Sequence, residues 1–289
     1  MEILTNYTFQ IIALGTALLA AVAAPVGALS VYKGQSLIGD AIGHATFPGV
    51  VLAFMAFSTR SPAVLLVGAM AAAAVTFFAI QAAHENTRVG LNANLAVFLS
   101  GFFGLGMVLK SFIQGNEAYR GASQAGLETY IFGQAAYMLE ADVKLIAFVA
   151  ALCAALLFAF YKELKVFVFD AEYARAVGLP VRLLQVLLPF LTIAVIGIGI
   201  KAVGAILISS FLIIPCVAAS QWSDDFAHVL FLSAVFGVVA ALAGTYVSTL
   251  EQGMSTGPSI ILAASAIAFL SMFFGKRGAF RKRGRREEA

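Results

Sequence analysis

The chain has 289 residues, of which 61% are hydrophobic and 11% charged, with a formal net charge of +3 at pH 7. A soluble domain carries about 25% charged residues, so a water-facing surface for this much apolar material cannot be assembled. What remains is an all-α, polytopic membrane protein, and its 26 glycines and many alanines suit helices that must approach closely inside lipid.

The stretch 1–8 contains Glu2 and no Lys or Arg, and the apolar run from Phe9 to Val31 is too long for a signal-peptide core. It is predicted as the first membrane span. A span needs roughly 17–25 mostly apolar residues. Further candidates fall near 38–58, 62–83, 91–113, 142–161, 183–200, 202–220, 227–249 and 257–274. That gives about nine helices, or eight if the abutting pair either side of Lys201 is one. Two longer polar stretches interrupt the series, at 114–142 and at about 162–182. Cys153 and Cys216 lie in separate apolar segments and read as small hydrophobes. No linker divides the chain, so a single transmembrane domain over 1–289 is expected.

Orientation follows from the basic residues. With the N-terminus outside, five of the 18 Lys and Arg are external (Arg60, Lys110, Arg120, Lys144 and Lys201), and the other thirteen are cytoplasmic. The N-out, C-in arrangement is therefore predicted. The basic tail at 276–289 reads as a cytoplasmic stop-transfer flank and not as a nucleic-acid site, with membrane lipid as its surroundings.

An ionisable group in the bilayer interior costs at least ~2.5–3.5 kcal/mol on insertion scales, so such groups face a protein interior or a water path. Asp40 and His44 lie four apart in the second span, on one helical face. A carboxylate beside an imidazole is a half-site for a first-row divalent metal, and Pro48-Gly49 invites a kink that frees backbone carbonyls beside it. The alternative is a structural hydrogen bond between the two side chains, and the spacing alone does not separate these readings. His84 with Glu85, and His228 after Asp224 and Asp225, fall in short polar turns and read as solvated or helix-capping groups. Glu251, before Thr256-Gly257-Pro258, is placed at an outer vestibule.

In the second polar stretch Asp170 is a good N-cap, and Gly178 with Pro180 supplies a stop. A short extramembrane helix is predicted there. No Gly-x-x-x-x-Gly-Lys-Ser/Thr loop is present, so nucleotide-driven work requires a separate subunit.

These motifs in this order resemble the zinc/manganese/iron permease family of ABC importers (the ABC-3 family). The matching stretches are Ser36…Asp40…His44…Pro48-Gly49, Tyr130-Ile-Phe-Gly133, Phe169-Asp170…Glu172…Ala174…Gly178, Val203-Gly204-Ala205…Ile214-Pro215, and Thr256-Gly257-Pro258. The resemblance implies a type II importer-like permease of a prokaryotic inner membrane, itself no enzyme and holding no cofactor. It implies a homodimer, a separate ABC ATPase subunit and an extracytoplasmic metal-binding protein. The cargo would be manganese, zinc or iron. Asp40 and His44 would contact it, while Phe169, Asp170, Glu172, Ala174, Arg175 and Gly178 would couple to the ATPase. Many members carry an acidic residue where this chain has Gly253, with Glu251 two positions earlier. The rival readings are a permease for a siderophore- or cobalamin-type chelate and a proton-coupled secondary metal transporter; a metalloprotease is excluded by the absence of His-Glu-x-x-His.

Overall fold

The structure is a computed structural model that describes residues 6–59, 61–116, 133, 135, 138–250 and 254–278, without the side chains of 201 and 206. Among the described residues ten α-helices follow one another: α1 (Tyr7–Tyr32), α2 (Ile38–Phe57), α3 (Pro62–Asn86), α4 (Leu91–Gly115), α5 (Glu140–Ala159), α6 (Tyr161–Phe169), α7 (Ala171–Ala176), α8 (Val181–Ser220), α9 (Phe226–Ser248) and α10 (Thr256–Phe274). Among the described residues nine segments are long and apolar enough to cross a membrane. All nine are the segments read from hydropathy, within a few residues at each end. Backbone groups in lipid must be satisfied within the chain, and helices achieve this segment by segment.

The centre of the bundle is α1. Leu19, Ala20, Ala23, Ala24, Val26, Ala28 and Leu29 are fully buried there. Its alanines admit close neighbours: a Cβ on Gly237 of α9 would sit 3.2 Å from the Ala20 carbonyl. Thr16 and Thr245 bring their hydroxyls to 3.4 Å across the same contact. Around this pair lie α5, α8 and α10, whereas α2, α3 and α4 form a second cluster centred on Phe47, Val50 and Phe54.

The 40-residue α8 is two limbs and not one rod. A straight helix of that length would run ~60 Å, twice the ~30 Å hydrocarbon core. Gly204 breaks it, with φ 82° and ψ 165°, a backbone region that is essentially glycine's alone. Beyond the break Ile208 returns to pack on Gly199, where a Cβ would meet its Cδ1 at 2.7 Å. Nine residues of uninterrupted helix would separate them by ~13.5 Å. The limbs Val181–Ile200 and Ala202–Ser220 therefore double back, and the abutting pair around Lys201 is two segments.

Candidate metal path and docking helix

Most of α2 is buried, but Asp40 and His44 stay partly open, and beyond the buried Pro48 so do Leu52 and Ala56. His44 Nε2 lies 3.4 Å from Asp40 Oδ1, and the side chains retain 17% and 31% exposure respectively. Three neighbours fix this face. Gly43, one residue from the imidazole, packs on the second limb of α8, where a Cβ would come within 3.2 Å of Ser209 Oγ. From α4, Phe103 sets its ring edge-on to the His44 imidazole, with centroids 5.2 Å apart and planes at 84°. One turn on, Gly106 lets α4 lie directly against Phe47 and Pro48.

Pro48 stays inside the helix. It has no N–H, so the His44 carbonyl loses its i+4 partner. The face itself brings together a carboxylate and an imidazole, an N/O donor pair of the kind first-row divalent metals accept. Among the described residues no third His, Cys, Asp or Glu joins them. The face therefore offers two side-chain donors among the described residues. Phe103 carries no sequence signal for this position: it is apolar and 59 residues from His44 along the chain.

The remaining candidates separate cleanly. His84 lies in the exposed last turn of α3, where Gln81 donates to the Glu85 carboxylate at 2.7 Å. Asp225 caps α9, accepting the His228 backbone N–H at 3.0 Å, and that bond holds its carboxyl below the usual range. Glu251, Gly253, Tyr130–Phe132 and the tail from 279 onward lie outside the described residues. Gly133 is described, and it packs against the backbone of Val203 and Gly204 at the turn of α8.

The short helix expected in the second polar stretch is α7, six residues long. Asp170 caps it, accepting the Tyr173 N–H at 2.8 Å. Glu172 sits in the first turn and Arg175 in the last, matching the helix dipole. Gly178 ends it at φ 81°, while the Leu179 N–H reaches back to the Ala174 carbonyl at 3.0 Å. Ala174 is fully buried and anchors the helix, whereas Phe169, Tyr173 and Val177 are each more than half exposed. Of these three, Tyr173 lies within α7, Phe169 ends α6 and Val177 is the α7 C-cap, so the exposed apolar side chains bracket the short helix.

The chain is similar along most of its length to known proteins. The zinc transport system membrane protein TroC of Treponema pallidum is 35% identical over 275 residues, covering 95% of this chain and 91% of that protein. The manganese transport system membrane protein MntC of Bacillus subtilis is 37% identical over 265 residues; the match takes in 91% of this chain but 60% of that protein's length. Among solved structures, PsaBC from Streptococcus pneumoniae in complex with Fab superposes with a TM-score of 0.82 at 26% identity, covering 96% of each chain. Matched from residue 5 to residue 275, the chain belongs to the ABC 3 transport family.

Proposed function

We propose that this chain is the membrane-spanning permease subunit of an ATP-driven importer for a divalent first-row metal ion: manganese, zinc or iron. The observation that carries the reading is the open Asp40–His44 face of α2, set inside a chain of this family. Relatives named for zinc and manganese transport support the cargo class.

Two copies complete what one lacks. A twofold axis brings the same surface of each chain together, so two carboxylates and two imidazoles converge on one ion. The adjoining surface of α4 has room for a partner, since a side chain at Gly101 or Gly104 would meet nothing within 4 Å. A binding protein outside delivers the ion. ATPase subunits dock on α7 from the cytoplasm, and their closure switches the path from outward to inward access. Coordination along the path is weak and shared, because tight ligation would stall release. The chain sits N-out and C-in in a prokaryotic inner membrane, and hydrolysis is the ATPase subunit's work.

Cellular metal content tests this. Cells lacking their own importers express the chain with its ATPase and binding protein, against equally expressed Asp40→Ala and His44→Ala. One metal accumulates with the native chain, and each substitution lowers uptake by at least about tenfold, the factor that even an outer partner's loss costs a metal site. Uptake that survives both substitutions removes the pair from the path. A native complex that accumulates none of the three ions overturns the metal reading in favour of a chelate, and uptake without the ATPase subunit overturns the ATP-driven one.

A further inference from the structure

Where α7 meets the membrane bundle, three rings close on one another. Phe169 ends α6 and immediately precedes the Asp170 cap, Tyr32 ends α1, and Phe226 begins α9. Tyr32 and Phe169 have ring centroids 5.7 Å apart, Tyr32 and Phe226 5.2 Å, and Phe169 and Phe226 5.2 Å, all edge-to-face. Phe226 is 3% exposed and Phe169 is 56% exposed, so one ring of the triangle is deep in the bundle and another reaches the docking surface.

The segment beyond Tyr32 is stiff. The turn into α2 is tied by the Gly34 N–H to the Val31 carbonyl at 3.0 Å, the Gln35 N–H to Ser30 at 2.9 Å, and the Ile38 N–H to Gln35 at 3.1 Å. Lys33 lays its ammonium over the Phe167 ring at 4.2 Å, which binds the same turn to α6. Asp40 stands two residues into the helix that this turn starts. A displacement of Phe169 therefore has a short, packed route to the intramembrane carboxylate.

We propose that Tyr32 and Phe226, clasping Phe169, are positioning residues that pass movement of α7 into α2, so that ATPase closure resets the Asp40–His44 face. The proposal rests on the reading that α7 docks the ATPase and that the pair lies on the metal path. Aromatic clusters also serve as plain packing, and plain packing does not couple two activities. Coupling free energies of 1–3 kcal/mol correspond to factors of about 5–150.

The test uses the complete complex of permease, ATPase and binding protein in liposomes, measuring Mn²⁺, Zn²⁺ and Fe²⁺ uptake separately alongside ATP hydrolysis. Tyr32→Ala and Phe226→Ala should keep the ATPase bound in wild-type proportion and keep its hydrolysis. Metal moved per ATP should fall about tenfold or more, within that coupling range. Tyr32→Phe, which keeps the ring, should restore the ratio. If either alanine variant fails to assemble, Tyr32→Leu and Phe226→Leu preserve apolar volume and read the same ratio. An unchanged ratio, whether both activities hold or both decline in proportion, overturns the clasp. A wild-type complex that does not hold the ATPase, or moves none of the three ions, overturns the underlying reading and takes the clasp with it.

Discussion

His44 is held by unlike forces on two sides: a carboxylate one turn below it and the edge of Phe103 beside it. The first follows from four-residue spacing and was legible in the chain; the second required the fold to bring α4 across α2. Lys33 makes the same point just past the end of α1. Its sequence position says only that it flanks a span, yet the ammonium lies over Phe167, and burial pulls its pKa from 10.5 down to about 8. Burial penalises the charged form, so the cation persists below that pH and the neutral amine appears as pH rises through it. Site-resolved acetylation of the assembled protein should therefore find Lys33 half-maximally reactive near pH 8, whereas an ordinary lysine approaches that point near pH ~10.4. A Lys33 profile that matches ordinary lysines would place its amine in water.

Helix punctuation separates what the chain announces from what it conceals. α7 was readable because Asp170, Gly178 and Pro180 are each specialised for one backbone task, and the cap and stop stand where those residues predict. α6 was not readable. Lys162, Glu163 and Lys165 make the stretch look like a solvated loop, yet Leu164, Phe167 and Val168 at helical spacing are all buried. Gly204 stands in a stretch that carries the family resemblance, yet nothing in the sequence marks it as the residue where α8 breaks. Alanine substitution should rank Gly178 and Gly204, two of the positive-φ glycines. At Gly178 a Cβ would meet nothing within 4 Å, so Gly178→Ala costs only the left-handed backbone, about 1–2 kcal/mol. At Gly204, with ψ 165°, the backbone itself is outside alanine's range and Gly133 packs against it. Thermal unfolding of the detergent-solubilised protein should show Gly204→Ala with the larger fall in midpoint, and an equal or smaller fall would mean that the limbs tolerate a helical residue at the turn.

On the scale of the molecule, hydropathy set the number of crossings because bilayer thickness sets their length, but it could not rank them. α1 and α4 are both long and apolar enough to cross a membrane; α1 is the buried centre of the bundle, while α4 leaves Val97, Leu105, Val108 and Phe112 exposed. Which apolar helix meets protein and which meets lipid or a partner is decided by contacts between distant segments, and no local period records them. Orientation is a different kind of global property, fixed by where the cations lie. It is testable with one impermeant thiol reagent, because the native Cys153 and Cys216 are buried and stay silent. Thr59, between α2 and α3, and the exposed Thr87, between α3 and α4, lie at opposite ends of α3. With the N-terminus outside, Thr59→Cys should label on intact spheroplasts and Thr87→Cys only after permeabilisation. The reverse pattern would put α7 outside the cell, out of reach of any ATP-hydrolysing partner, and would remove the coupling proposal together with the orientation.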